Sequence, residues 1–284
     1  MTPKSRLGQN FLRDPQAIRR IGAALGDCAG RTVVEIGPGM GAITRELAAK
    51  AGKVLALEVD PELAASLSAE FARSAEPNVA GSNVRVETVD VLTFDFVGAA
   101  AAAGERLIVA GNLPYYITSP ILLKLADNAT VLDRAVLMVQ REVADRVTAS
   151  PGSRDFGLLS VTVQMHGPME PLLTLPPSAF SPPPEVHSTV FRWRFAPRFA
   201  ELGVNREEFL RFMRQVFALK RKTLANNLRA AGIESAAAAA ALSGAGIDLK
   251  ARAESQSVEA LARLWKCLQK AGATPPGEVT PAMH

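Results

Sequence analysis

The segment GNLPYY at residues 111–116 follows an apolar run at 107–110 that predicts a buried strand. Pro114 lacks an N–H and biases Leu113 toward extended backbone, so the carbonyl groups around it are available to point into a cleft. Asn112 adds a side-chain amide oxygen as an acceptor. Such acceptors, beside the only two tyrosines of the chain, suit a planar base with an exocyclic amino group. The segment predicts an amine-binding site, although a strand end followed by a proline turn with core tyrosines also explains it.

A glycine turn lies earlier in the chain. Residues 32–36 predict a first buried strand, Gly37, Gly39 and Gly41 form the turn, and residues 42–50 predict a helix. Glycines at such a turn allow the backbone to approach a ligand closely at the edge of a doubly wound sheet. The turn indicates a nucleoside cofactor, and it is equally compatible with a dinucleotide.

Two acidic positions follow the next strands. Glu58 lies at the carboxyl end of a strand at 54–60, where a carboxylate can accept hydrogen bonds from both hydroxyls of a ribose, and Asp60 is its rival. Asp90 ends a strand at 84–90, where it could meet an adenine amino group. Solvated strand-end carboxylates are the alternative interpretation. Because the carboxyl ends of adjacent parallel strands share one crevice, we expect these acids, the glycine turn and Asn112 to meet in space.

The alternation of strands and helices predicts an α/β fold with a mostly parallel, doubly wound sheet and a small all-helical C-terminal domain. Further strands are expected at 107–111, 135–139, 159–165 and 188–195, and the proline-rich stretch 175–184 is expected to contain no regular structure. The helices are expected at 61–73, 119–126, 142–148, 206–219, 235–242 and from Ser257 to about 270. The apolar stripe of the helix at 206–219 predicts core packing.

The net charge of +4 conceals an uneven distribution. Residues 1–20 carry five Lys/Arg and one Asp, residues 21–195 carry 14 against 19 acidic residues, and residues 196–270 carry 13 against seven. The basic ends are the parts of the chain that could meet a polyanion, although a solvated basic surface is the ordinary alternative. No apolar run approaches the roughly 20 residues that span a bilayer. Two distant cysteines, Cys28 and Cys267, predict reduced thiols in a cytosolic setting and no structural metal.

Six segments together resemble the family of ribosomal small-subunit (16S) RNA adenine N6,N6-dimethyltransferases. They are LGQNFL at 7–12, VEIGPGMG at 34–41, NLPYYITSP at 112–120, QREVADR at 140–146, PPSAFSPPPEVHST at 176–189 and FALKRKTLANNL at 217–228. The first and last segments are the specific ones, because many methyltransferases share the glycine turn. The resemblance implies a Rossmann-like class I methyltransferase sheet and S-adenosylmethionine as cofactor.

The resemblance also implies residue roles. The cofactor would be held by Asn10, Leu12, Gly37, Gly39, Glu58, Asp90 and Asn112. Asn112, Leu113 and Pro114 would form the amine site, and Tyr115 and Phe180 would stack on the target adenine. The basic residues Lys220, Arg221 and Lys222 would bind RNA. Tyr116 stands where the family varies and receives no role.

The implied domains are a methyltransferase domain at 1–196, including a basic segment at 1–20, a helical RNA-binding domain at 197–271, and a disordered tail at 272–284. The implied partner is small-subunit rRNA in the immature 30S subunit, with no membrane, no metal and a monomeric, cytoplasmic enzyme. The alternatives are a large-subunit adenine methyltransferase of the macrolide-resistance type, an inactive RNA-binding assembly factor, and a nucleotide-dependent dehydrogenase.

Overall fold

The computed structural model describes residues 10–72 and 81–274. The first nine residues of the expected basic segment, the end of the helix expected at 61–73, and most of the tail expected at 272–284 lie outside these ranges. The chain divides into two compact units. The first comprises Met1–Asp145 and His166–Ala196, and the second comprises Arg146–Met165 and Pro197–His284. The second unit resumes at Pro197 and also contains Arg146–Met165, a segment that the expected methyltransferase domain at 1–196 included.

The first unit is built around strands that alternate with helices. The strands are β1 (Phe11–Leu12), β2 (Thr32–Ile36), β3 (Lys53–Glu58), β4 (Val84–Thr88), β5 (Leu107–Asn112), β6 (Leu132–Gln140), β7 (Met169–Leu175), β8 (Phe180–Ser181) and β9 (Ser188–Arg194). The helices are α1 (Pro15–Ala24), α2 (Ala42–Ala48), α3 (Pro61–Ala72), α4 (Phe96–Ala103), α5 (Thr118–Asp127) and α6 (Arg141–Val147), which ends at the start of the second unit.

Seven strands form one sheet in the order β4-β3-β2-β5-β6-β9-β7. The five strands from β4 to β6 are parallel, and β9 is antiparallel to both of its neighbours. The expected mostly parallel, doubly wound sheet is confirmed. All five residues of β2 are buried, which is typical of a strand covered by helices on both faces. Because the chain leaves β2 for β3 on one side and returns to β5 on the other, the carboxyl ends of β2 and β5 border the switch point where such sheets bind ligands.

A separate two-stranded sheet joins the start of the chain to the proline-rich stretch. Strands β1 and β8 are antiparallel, with Phe11 opposite Ser181 and Leu12 opposite Phe180. The Arg13 N–H adds a 2.8 Å hydrogen bond to the Ala179 carbonyl. The expectation that residues 175–184 lack regular structure was therefore wrong in part, because pairing with a distant strand supplies hydrogen-bond partners that the local sequence does not reveal.

The strand expected at 159–165 is a helix, α7 (Leu158–Gln164). Its apolar residues alternate as in a strand, but its polar residues satisfy helical geometry. The Ser160 hydroxyl accepts a 3.0 Å hydrogen bond from the Gly157 N–H, and the Thr162 hydroxyl donates to the Leu158 carbonyl at 2.8 Å. The edge of the sheet next to β9 is formed instead by β7, a strand that was not predicted from the sequence.

The second unit contains α7 together with α8 (Arg206–Val216), α9 (Leu224–Ala230), α10 (Ser235–Gly244) and α11 (Val258–Lys270). The apolar stripe of α8 is core, as expected, with Phe209, Phe212, Met213 and Val216 buried in one cluster. The Ser257 hydroxyl caps α11 by accepting a 3.2 Å hydrogen bond from the Ala260 N–H. Within the described residues, no helix combines the length and apolar character needed to cross a membrane.

Glu35 is a carboxylic acid in the middle of the sheet. It lies on β2 between Ala56 of β3 and Ala110 of β5, and only 1% of its surface is exposed. Its Oε2 atom has no hydrogen-bond partner among the residues that the structure describes. Burial raises the pKa of Glu35 from 4.5 to about 7, and repulsion from the Glu58 carboxylate acts in the same direction.

This raised pKa makes stability depend on pH. The folded state favours the protonated form of Glu35. The contribution of this proton to the free energy of unfolding is therefore fully present below pH 4.5 and is lost as the pH rises through about 7. We expect Glu35→Gln to flatten this dependence and, above pH 7, to stabilise the protein by on the order of 3 kcal/mol. Urea unfolding between pH 4 and 8 measures the effect, with the exposed Glu62→Gln as control. An unchanged pH profile would show that Glu35 ionises in the folded protein as it does in water.

Candidate active site

A cleft opens at the carboxyl ends of β2, β3, β4 and β5 in the first unit. The glycine turn, the strand-end acids and the Asn-Leu-Pro-Tyr segment share it, as the strand order predicts. Its wall is mostly apolar, with few polar groups, which is typical of a small-molecule site. The lining residues are Asn10, Phe11, Ile36, Gly37, Gly39, Leu57, Glu58, Val59, Val89, Asp90, Val91, Leu92, Asn112, Leu113, Pro114, Tyr115, Tyr116, Ile117 and Ile121.

The glycine turn is held against the acid that follows β3. Glu58 is buried, and its two carboxylate oxygens accept 3.0 Å hydrogen bonds from the N–H groups of Gly39 and Asp60. Gly39 has φ +54°, and a Cβ atom there would lie 2.8 Å from the Phe11 ring, so a larger residue fits neither the backbone nor the space. The turn and the acid thus form one preorganised wall.

Glu58 and Asp60, the two candidates for the ribose contact, have different environments. Asp60 begins α3, and its Oδ1 accepts hydrogen bonds from the N–H groups of Glu62 and Leu63. This is the geometry of a helix N-cap, and Asp60 is not among the cleft-lining residues. Glu58 lines the cleft, so the geometry favours it over Asp60. Asp90 also lines the cleft, is exposed, and has one oxygen engaged by the Leu92 N–H at 2.9 Å.

Asn112 presents an acceptor without a partner. Its side-chain Nδ2 donates a 3.0 Å hydrogen bond to the Asn10 carbonyl, which orients the amide. Its Oδ1 is buried and has no hydrogen-bond partner within the described part of the chain. Because an unpaired buried acceptor costs about 1–3 kcal/mol, a ligand that supplies an N–H here gains from satisfying it. An amine-binding site requires a hydrogen-bond acceptor of this kind.

The carbonyls around Pro114 are not equivalent. The Pro114 carbonyl accepts hydrogen bonds from the Thr118 hydroxyl at 2.9 Å and the Ile117 N–H at 3.3 Å, so its two lone pairs are engaged within the protein. Leu113 is buried and held by a 2.9 Å hydrogen bond from its N–H to the Met138 carbonyl. Of the two carbonyls, that of Leu113 is therefore the better candidate acceptor for a ligand.

The two tyrosines lie on a short 3₁₀ turn at Tyr115–Ile117 and differ in environment. The Tyr115 hydroxyl forms a 2.8 Å hydrogen bond with the Ser188 hydroxyl, and burial raises its pKa above the usual value. Ser188 is fully buried on β9. Tyr116 has 59% of its surface exposed. Ser188 was not predicted from the sequence, although it lies within the PPSAFSPPPEVHST segment.

The side chains of two residues expected in the site do not line the cleft. Leu12 and Phe180 face each other across β1 and β8, and both are buried in the core of the first unit. Neither lines the cleft, because side chains alternate along β1 and it is Phe11 that faces the glycine turn. The structure therefore places Phe11, which the sequence analysis did not single out, where Leu12 was expected. A stacking role for Phe180 stays a prediction.

The second unit contains a basic loop whose backbone is fixed by hydrogen bonds. Lys220, Arg221 and Lys222 are exposed between α8 and α9, and none forms an ion pair with an acidic side chain of the described residues. Asn227 fixes this loop, since its Oδ1 accepts a 2.8 Å hydrogen bond from the Leu219 N–H and its Nδ2 donates to the Leu219 carbonyl.

The loop has a further backbone constraint at Arg221, which adopts φ +66°, a conformation that is costly for any residue with a Cβ. Asn227 is the residue of the KRKTLANNL segment whose role the sequence alone did not indicate. Within the described ranges, no cluster of three or more His, Cys, Asp or Glu side chains is arranged to bind a metal.

The order of the sheet, with one antiparallel strand inserted beside its edge, and the cleft at the strand ends define a class I methyltransferase. Two solved structures share this fold. The 23S rRNA methyltransferase ErmE is 27% identical with a TM-score of 0.70, covering 92% of this chain and 100% of that one. A dimethyladenosine transferase from Plasmodium falciparum has a TM-score of 0.79 at 22% identity, covering 93% and 99%.

The chain belongs to the ribosomal RNA adenine dimethylase family, which matches residues 1–270. It is similar to a ribosomal RNA small subunit methyltransferase A from Acidobacterium capsulatum, with 56% identity over 266 residues that cover 94% of this chain and 91% of the relative. A protein of the same name from Koribacter versatilis is 43% identical over 271 residues, covering 94% and 95%.

The Tyr115–Ser188 hydrogen bond can be measured by a double-mutant cycle. Tyr115→Phe and Ser188→Ala each remove one partner, and we expect a coupling energy of about 1 kcal/mol in urea unfolding because Ser188 is buried. Tyr116→Phe combined with Ser188→Ala is the control and should be additive. Additivity in both cycles would mean that the hydroxyl of Tyr115 contributes nothing through Ser188.

Proposed function

We propose that this chain transfers methyl groups from S-adenosylmethionine to the N6 amines of two adjacent adenosines in a hairpin near the 3′ end of small-subunit (16S) rRNA. The observation that carries the proposal is the oriented Asn112 amide with an unpaired, buried Oδ1 in the wall of the cleft. The relatives at 56% and 43% identity support the small subunit as substrate. The large-subunit alternative is not favoured, because the similarity to ErmE is only 27%.

The residues of the cleft fit S-adenosylmethionine. Glu58 is a buried carboxylate at the strand end that suits a ribose, Asp90 suits an adenine amino group, and the turn at Gly37 and Gly39 allows close approach of backbone. Asn10, whose carbonyl already binds Asn112, would contact the methionine part. The cofactor, when bound, supplies a methyl group activated by a positively charged sulfur.

The protein must then position an amine that is a poor nucleophile, because the N6 lone pair of adenine is delocalised into the ring. Asn112 Oδ1 and the Leu113 carbonyl would each accept one N6 hydrogen. Holding both hydrogens favours a tetrahedral nitrogen with its lone pair directed at the methyl group, so catalysis is positioning and electrostatics. The nitrogen–carbon bond would form as the sulfur–methyl bond breaks to leave a neutral thioether, and the methylated amine would lose one proton to solvent. The second methylation requires that the site accept N6-methyladenine with one hydrogen still held.

The target base has to leave its stack to reach this cleft, at a cost of a few kcal/mol that an RNA loop lowers. The half-buried Tyr115 ring would provide the stacking face. The exposed cations at 220–222 in the second unit would bind the phosphate backbone of the immature 30S subunit. We propose that the enzyme acts there as a monomer.

Asn112→Ala removes the proposed acceptor. We expect the rate of methyl transfer from labelled S-adenosylmethionine to unmethylated small subunits to fall about 100-fold or more, as when one preorganised polar contact is lost from a transition state. Because Asn112 is also expected among the cofactor contacts, cofactor affinity is measured separately by calorimetry and should fall much less than the rate, since Glu58 and Asp90 remain.

Asn128→Ala is the matched control, since among the described residues the Asn128 side-chain amide bonds only the Lys124 carbonyl, at the end of α5. Methylation by Asn112→Ala at the wild-type rate would contradict the proposed amine site. Failure of the wild-type enzyme to methylate small subunits while it methylates large ones would favour the macrolide-resistance alternative.

Replacing Lys220, Arg221 and Lys222 together by Glu tests the RNA contact. We expect affinity for small subunits at physiological salt to fall by at least about tenfold, and the slope of log affinity against log salt to become shallower by about 2, because three phosphate contacts are lost. Filter binding across a salt series measures both.

The control replaces three exposed cations outside this loop, Lys53, Arg154 and Lys270, by Glu. Equal losses of affinity in the two triple variants would show that the effect comes from net charge alone. Wild-type affinity in the 220–222 variant would refute the assignment.

A further inference from the structure

Tyr116 is a large aromatic residue at the mouth of the cleft that the proposed reaction does not use. It lines the same cleft as Asn112 and Tyr115, yet 59% of its surface is exposed. Its hydroxyl has no hydrogen-bond partner among the residues of the two described ranges. Neither core packing nor an internal hydrogen bond therefore explains the placement of this side chain.

The local geometry separates the two tyrosine rings. On a 3₁₀ turn with three residues per turn, successive side chains point about 120° apart. Because Tyr115 points inward to the buried Ser188 hydroxyl, Tyr116 is directed to another side and lies at the rim. The turn is anchored by the Thr118 hydroxyl and the Ile117 N–H on the Pro114 carbonyl, so the Tyr116 ring is carried by a held backbone.

A nucleotide whose base enters the cleft remains covalently joined to its neighbours, which must lie at the mouth. Single-stranded RNA is recognised chiefly by stacking of unpaired bases on aromatic side chains, and every base has a face for this contact. We infer that Tyr116 stacks on the base of the nucleotide adjacent to the target adenosine and so sets which nucleotide enters the cleft. The inference rests on the proposed function, because it requires an RNA substrate with its target base in this cleft.

A substrate with two adjacent adenosines would present a different neighbouring base to Tyr116 in each of the two methylation steps. While one adenosine occupies the site beside Asn112, its neighbour is the base available to Tyr116. Moving the second adenosine into the site exchanges the base that Tyr116 holds. Tyr116 is thus a positioning residue that acts on the register of the RNA and not on the reacting atoms.

The test compares four substitutions in the full-length enzyme with unmethylated small subunits as substrate. Tyr116→Ala and Tyr116→Leu should lower kcat/KM for the subunits about five- to 100-fold, with most of the change in KM, because the stacking face is lost. Tyr116→Phe keeps that face and should stay within about twofold of wild type. Val97→Ala, at an exposed apolar residue of α4 outside the cleft, is the control and should change nothing.

Two further readouts separate the possible outcomes. Mass spectrometry of the RNA should show the variants Tyr116→Ala and Tyr116→Leu releasing a larger share of product with only one adenosine modified. The dissociation constant of S-adenosylmethionine should be unchanged. Wild-type kinetics in Tyr116→Ala, full rescue by Leu, or a loss of cofactor affinity that accounts for the whole effect would each overturn the inference. If the wild-type enzyme methylates no small subunit, the proposed function fails instead.

Discussion

The hydrogen bond from the Asn112 amide to the Asn10 carbonyl is the interaction on which the site depends. It joins the start of the described chain to the end of β5 and orients the amide, so that Nδ2 is bonded while Oδ1 has no partner among the described residues. The protein leaves the Oδ1 atom unpaired at a free-energy cost, and such a cost is tolerated where a ligand relieves it. The sheet beneath provides the rigidity, because Leu113 is tied to Met138 on β6 and cannot drift from its neighbour.

Much of this site was accessible from the sequence, for a physical reason. Parallel strands that alternate with helices bring their carboxyl ends to one edge, so chain order alone places Gly37, Glu58, Asp90 and Asn112 together. Position in the chain did not separate Glu58 from Asp60, since both are acids near a strand end. The resemblance favoured Glu58, and the N-cap hydrogen bonds of Asp60 agree with that choice.

What the sequence did not reveal depends on contacts between distant residues. The alternating pattern at 159–165 is compatible with a strand and with a helix, and the hydrogen bonds of Ser160 and Thr162 decide the question. Phe11 lines the cleft where Leu12 was expected, because the pairing of β1 with β8 determines which side chain of β1 faces the cleft. The two strands lie about 170 residues apart in the chain. Asn227 resembles any helical asparagine until its bonds to Leu219 are seen.

The second unit is made from two separate stretches of chain, and this arrangement bears on how the protein is synthesised. Val161 and Met165 of the middle stretch belong to the same apolar cluster as Leu261 and Leu264 near the other end. A ribosome releases the middle stretch about 40 residues before α8, which packs against α7, and about 100 residues before Leu261 and Leu264, so the apolar cluster is completed only when the later part of the chain has been made. A chain that ends at residue 196 would keep Arg146–Met165 without the helices that cover its apolar side chains. Truncation at this boundary would therefore yield the first unit with an exposed apolar segment.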